Sequence, residues 1–229
     1  MSDQNPYVGP KQAGNALPEF PYVNQRARLL LVGCALGGCA LSSIAGIALD
    51  YYMLTLVAQH GLSTVPDDTV RLTDLLDALI YVFDRLTALA AIVLFSMFVY
   101  RANHNARRLG AKRMRFTPAW TVGWFFVPIF NLVRPYGAVR EIWQVSGKRT
   151  SATAETPGFL LFWWWTWIAS VVLERLSFRF DQETLELYTN SLWVDIAAQA
   201  TRILAAVLAF AVLRAIHERQ QARAERLHR

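Results

Sequence analysis

Charge is scarce in this chain: 17% of its 229 residues are Asp, Glu, Lys or Arg, against roughly a quarter in a soluble domain. Cysteine is scarcer, with only Cys34 and Cys39. Both fall inside one apolar stretch, where five residues of helix separate them by about 140°, which argues against a disulfide framework or a zinc site. A nucleotide-binding glycine loop, a zincin motif and a nucleophile elbow are all missing from the sequence. Of the histidines, His104 and His217 fall at helix ends where a bundle could hold haem or metal, but His60 and His228 occupy loop and tail positions equally well. No catalytic, cofactor-binding or metal-ligating residue is therefore assigned, and the chain reads as non-enzymatic. A cleavable leader is not expected either, because the first apolar block starts only at Leu29 and is too long for a signal peptide.

What is abundant is long apolar sequence. Hydrophobic residues make up 54% of the chain and gather in blocks instead of recurring as a stripe. A run of about 18 apolar residues rising about 1.5 Å each spans a hydrocarbon core of roughly 30 Å. Four blocks meet or approach that length: 29–49, 78–100, 158–174 and 191–215. A fifth stretch, 119–136, is interrupted by Pro128 and closed by Pro135. The expectation is an all-α membrane protein with four transmembrane helices plus a Pro-broken interfacial or re-entrant segment. Residues 1–27, with Pro6, Pro10, Pro18 and Pro21, read as a mobile polar tail, 28–216 as the membrane domain, and 217–229 as a charged tail extending the last helix into water.

Basic residues decide between topologies, because Lys and Arg favour cytoplasmic loops. With four spans, 18 of the 23 basic residues face the cytoplasm and 3 (Arg71, Arg175, Arg179) face outward, while Arg85 and Arg202 stay in the membrane. A fifth span would leave 11 inside and 10 outside. The reading is a multi-pass protein of the cell membrane with both termini cytoplasmic. The acidic residues Asp67, Asp68, Asp74 and Asp77, and Asp181, Glu183 and Glu186, fall in or beside the outer loops. The net charge of +6 is then a topogenic signal with affinity for anionic headgroups, not a nucleic-acid footprint.

The segment from Thr117 to Tyr136 carries the most information. Pro128 removes a backbone donor and clashes one turn back, and Pro135 biases Arg134 away from helix. Irregular backbone at membrane depth needs cover from protein or water. Trp120 and Trp124, at i and i+4, put two indoles on one face suited to the headgroup boundary. Helix resumes over 137–145, with Arg140 and Glu141 expected to be exposed.

The pattern Pro118-x-Trp120-x-x-Gly123-Trp124-Phe125-x-x-Pro128-x-x-Asn131-Leu132-x-x-Pro135-Tyr136, followed by Arg140-Glu141-Ile142-Trp143, resembles the signature of bacterial membrane proteins grouped as domain of unknown function 4328. A basic loop before the motif and hydrophobic helices around it fit the same resemblance, which would cover about 28–216. Phe125 and Phe126 stand where tryptophan or another aromatic is expected, a mild departure. The resemblance implies a membrane architecture and no catalytic residues.

Three further features carry weight. Charges inside spans cost about 2.5–3.5 kcal/mol each at the centre, which singles out Asp84, Arg85, Asp195 and Arg202. Asp195, Gln199 and Arg202 share one face of the fourth span, and Asp77, Tyr81 and Asp84 one face of the second. The second and fourth spans should therefore be neighbours, with Asp84 paired to Arg202 and Arg85 either reaching Asp195 or snorkelling outward. Cys34, Gly38, Ser42 and Gly46, beside Gly33 and Gly37, form a small-residue face for close helix packing within the chain or between copies. Trp163, Trp164, Trp165 and Trp167 read as an aromatic belt. Together these suggest an interaction or assembly component of the membrane, with the bilayer and another copy or another membrane protein as partners. The alternative is a small oligomeric transporter or channel that uses the intramembrane charges.

Overall fold

A computed structural model describes residues 22–61, 65–147, 156–177 and 184–227. The proposed mobile tail up to residue 21, and Lys148, Arg149, Arg179, Asp181, Glu183 and His228, lie outside the described residues. The chain is all-helical there: α1 (Arg26–His60), α2 (Asp67–Arg108), α3 (Pro118–Gly123), a 3-10 turn (Phe130–Leu132), α4 (Arg134–Val145), α5 (Gly158–Ser177) and α6 (Leu185–Leu227). Helices α1, α2, α5 and α6 are each long and apolar enough to cross a membrane, and by length and composition this is a multi-pass membrane protein in contact with lipid.

Each long helix overruns the apolar block that nucleates it. α1 continues to His60, where Gly61 at φ 74° turns the chain and gives its N–H to the Val57 carbonyl. α2 opens behind Pro66 with Asp67 and Asp68 in its first turn and ends with Arg107 and Arg108 in its last, which suits its dipole. α1 runs antiparallel against α2 on one side and α6 on the other, and α6 packs against α5. α2 and α6, expected as neighbours, touch far less than either touches α1: Arg202 reaches Asp84, and Gln220 reaches the Ala102 carbonyl near the end of α2.

Small residues set these distances. A Cβ on Gly38 would come within 2.6 Å of Thr87 on α2, and one on Gly33 within 2.8 Å of Phe210 on α6. Gly37 has open space around it and Cys34 is exposed. The small-residue face thus serves packing within the chain, with Gly33 and Gly38 on its two working edges.

The core concentrates at the end of the bundle where α2 finishes and α5 begins. Val32, Phe98, Ala102, Val139, Ile142, Leu160, Val212 and Leu213 are fully buried there and join all four long helices to α4. Trp163 and Trp164 belong to this core while Trp165 is exposed, so only part of the tryptophan run can serve as a belt. The far end of α6 also differs from expectation. Ile216, His217, Gln220 and Ala224 are buried along one side of it, so the helix carries a packed face past the apolar block instead of standing free in water.

Candidate functional site

Two constellations stand out, one within the apolar length of the bundle and one at its basic end. The first centres on Asp84, which is buried on α2. Its Oδ1 accepts from Ser42 Oγ on α1 at 2.8 Å and from Arg202 Nη1 on α6 at 3.1 Å. Arg85 Nη2 donates to Asp84 Oδ2 and to Glu174 Oε1 on α5, the latter at 3.1 Å. Arg202 Nη2 lies 3.4 Å from Glu174 Oε2, which closes a ring of two carboxylates and two guanidiniums drawn from three helices. Such a ring offsets the cost of charge at depth only because each member has partners of opposite sign.

The expected Asp84–Arg202 pair is therefore present, and two other expectations are corrected. Arg85 does not reach Asp195; it turns to Asp84 and Glu174, with the Tyr81 ring 5.1 Å from its guanidinium carbon. Asp195 takes the Ser177 hydroxyl instead. Nor do the two polar stripes face each other: Asp77 and Tyr81 are exposed, and Gln199 Nε2 donates to Asp50 Oδ2 on α1 at 2.6 Å. Glu174 was absent from the candidate residues because it lies at the far edge of the shortest apolar block.

The second constellation is the motif. Thr117 caps α3 through its hydroxyl, which accepts from Trp120 N at 3.3 Å, and Pro118 occupies the first turn where no donor is needed. Asn103, fully buried on α2, donates to Phe116 O at 3.0 Å and to Thr121 Oγ1 at 2.8 Å. Arg107 donates to Asn103 Oδ1 at 3.0 Å and to Phe116 O at 2.9 Å. Glu141 on α4, expected to be exposed, is half-buried and accepts from the backbone N–H of Arg115 at 2.6 Å and of Phe116 at 3.1 Å. Arg140 is exposed and donates to Thr156 Oγ1 at 2.9 Å. The basic loop is thus tied back to α2 and α4 by hydrogen bonds from both sides.

Beyond α3 the backbone breaks around Pro128, as its missing donor requires, and re-forms as α4 at Arg134, three residues before the expected 137: Arg134 is itself helical, because a proline is tolerated in a helix's first turn. The stretch packs between α2 and α5. Phe125 stands edge-on to Phe95 at 5.7 Å and to Trp164 at 6.5 Å, and the Trp164 indole donates to Leu132 O at 3.0 Å. Tyr136 packs against Trp164 as well, and Gly137 passes close to Phe116. Trp120 and Trp124 stack at 4.7 Å on one face. The Arg134 guanidinium lies over Trp124 at 5.4 Å and Phe130 at 5.9 Å. Trp120, Trp124 and Arg134, with Arg115, Phe116 and Thr117, line a shallow hollow of about 210 Å³. Asn131 takes part through its backbone, whose N–H bonds Val127 O at 2.9 Å.

At the tip of this stretch Phe126, Ile129 and Val133 point away from the bundle, and Ile129 is 81% exposed. Ile129 also adopts φ 68°, a left-handed conformation that a β-branched residue resists at a cost of order 1–3 kcal/mol. The described residues hold no group of three His, Cys, Asp or Glu placed to bind a metal. His104 rests edge-on to Tyr100 and His217 is buried on α6.

Sequence reading missed the buried polar latch at this end. Asn105 exchanges hydrogen bonds with the backbone of Val23, donating at 2.8 Å and accepting at 3.3 Å. Gln220 donates to Ala102 O at 2.8 Å and to Ser146 Oγ at 3.0 Å, which joins α6, α2 and α4. The available signal was an Asn or Gln every few residues among arginines.

The family model described as Domain of unknown function (DUF4328) matches residues 62–218, more than half of the chain. No curated protein and no solved structure matches.

Proposed function

Because the chain belongs to the DUF4328 family, whose description carries no activity, we propose that it is a non-enzymatic interaction or assembly component of the cell membrane. The observation that carries this reading is the tip of the motif segment. A β-branched residue held in a costly backbone conformation and left 81% exposed contributes nothing to the chain's own core. Strain of this kind persists where a surface has work to do. Phe126 and Val133 extend the same apolar surface, and the partner it fits is another membrane protein or a second copy of this chain. The 18-to-3 distribution of basic residues supports placing both termini, and this surface, on the cytoplasmic side.

A transporter reading draws on the charge ring, whose Arg85 side chain is 45% exposed. Against it, the four charges are engaged with one another, and none of them lines the hollow beside Trp120 and Trp124. The test is chemical cross-linking of the full-length chain in its native membrane, followed by detergent capture. Under this reading a defined partner or oligomer is recovered, and Ile129→Asp reduces it. Solute flux in reconstituted vesicles that is abolished by Asp84→Asn supports transport instead, and a chain recovered alone in both experiments ends the assembly reading.

A further inference from the structure

Beside α3, residues of α1, α2 and α3 border a wide-open surface hollow of about 400 Å³. Arg28 and Arg101 both line it. Arg28 directly precedes the first apolar block and Arg101 directly follows the second, so antiparallel packing brings both to one level at the edge of the apolar zone. Other arginines at this end are already engaged: Arg107 donates to Phe116 O, and Arg223 to Val145 O and Gly147 O. Neither Arg28 nor Arg101 has a carboxylate partner among the described residues. Ser96 and Tyr100, each carrying a hydroxyl, are among the residues that line the same hollow, with Met97 and Val122 as apolar members.

Guanidinium groups grip phosphate oxygens through paired donors, and nearby hydroxyls can satisfy the remaining oxygens. Two arginines with no acid between them favour a headgroup of net negative charge, because a zwitterionic one would bring its own ammonium against the second arginine. The surface leading away from the hollow selects lipid over free phosphate. Met97, Val93, Leu89 and Leu86 descend α2 at helical spacing, all exposed, as an apolar track about 16 Å long. We infer that this hollow is a site for one anionic phospholipid, with its phosphate between Arg28 and Arg101 and an acyl chain along that track. The inference requires that the four helices cross the membrane and is independent of the assembly reading.

Native mass spectrometry of the full-length chain in detergent, offered equal amounts of phosphatidylglycerol and phosphatidylcholine, tests it. The chain should retain one phosphatidylglycerol with a preference of about fivefold per arginine engaged. The double variant Arg28→Gln, Arg101→Gln should lose that preference. Lys112→Gln with Arg113→Gln, an equal charge change on the exposed loop, should keep it. Equal retention of the two lipids by the unaltered chain, or equal loss in both double variants, overturns the site. Displacement of the lipid by millimolar inorganic phosphate overturns the lipid assignment in favour of a soluble anion. Should the arginine double variant not fold, Ala119→Leu at an exposed lining position fills the hollow without touching charge. It should expel the lipid, and undiminished retention overturns the proposal.

Discussion

Arg202 on α6 reaches Asp84 on α2 at 3.1 Å, although the two helices pack against each other far less than either packs against α1. The long guanidinium arm bridges what backbone packing does not, and Ser42 on α1 completes the carboxylate's shell at 2.8 Å. One buried acid therefore connects three helices.

That connection makes the energetics non-additive. Asp84→Asn should be the most damaging single change in the ring, costing about 3–5 kcal/mol, because it leaves both Arg85 and Arg202 short of a partner. Arg202→Gln should cost less, since Asp84 keeps Arg85 and Ser42. Thermal unfolding in detergent of both single variants and the double should show a total loss smaller than the sum by at least about 0.5 kcal/mol. Simple additivity would mean that the ion pair carries no coupling.

Neighbouring glycines should behave oppositely. Gly38→Ala places a Cβ 2.6 Å from Thr87 Cγ2 and 3.1 Å from its Cβ. Rotating Thr87 moves only the first of these atoms, so α1 and α2 must part, at a cost of about 1–3 kcal/mol. Gly37→Ala meets nothing within 4 Å and should be neutral or slightly stabilising. Folded yield and melting temperature of the two variants check this, and equal behaviour would contradict the packing described.

Glu141 anchors the basic loop by accepting two backbone N–H groups. Glu141→Ala should strip hydrogen-exchange protection from the amides of Arg115 and Phe116 and expose Arg113 and Arg115 to trypsin. The loss for charged hydrogen bonds of this kind is about 1.5–3 kcal/mol. Glu141→Gln, which keeps one acceptor oxygen, should restore part of the protection; an unaltered cleavage rate in Glu141→Ala would show that the loop is held by other means.

Ile129 should separate stability from association. Ile129→Gly removes the resistance to φ 68° and should raise the melting temperature of the isolated chain, a gain of about 1 kcal/mol. It also deletes the exposed side chain and should weaken recovery of a cross-linked partner. Unchanged recovery would remove the tip from the proposed interface.

Orientation is tested by reporters. Fusions after Arg229 and within 61–68 should report opposite sides, the former cytoplasmic. Signals from one side only would require an even number of crossings between them and would contradict the three that the proposed topology places there.

The four long helices were legible because block length alone identifies a span, whatever face it presents. The break at Pro128 was legible because proline acts on the backbone locally, but the start of α4 at Arg134 was not, because a proline in the first turn does not stop a helix. The Asp84–Arg202 pair followed from the cost of charge at depth. Glu174 did not, because a residue at the edge of a short apolar block reads as loop until the helix is seen to run through Ser177. Partners for Arg85 and Asp195 were misassigned for a related reason: equal spacing along two helices says nothing about which third helix intervenes. Asn103, Asn105 and Gln220 were hidden by their setting among arginines, where polarity reads as solvent exposure. Their burial depends on α3 and α4 folding back over the helix ends, a tertiary event with no periodic trace.

The ring of Asp84, Arg85, Glu174 and Arg202 has an electrical consequence. A single charge carried across the full membrane field exchanges about 2.3 kcal/mol per 100 mV. Two carboxylates and two guanidiniums moving together sum to zero, so a rigid shift of the ring is blind to voltage. Only their separation would couple to the field, and the four ion pairs between them oppose that separation. The centre of this bundle carries formal charge without being a gating charge, and its resting geometry should be the same in an energised membrane as in a discharged one.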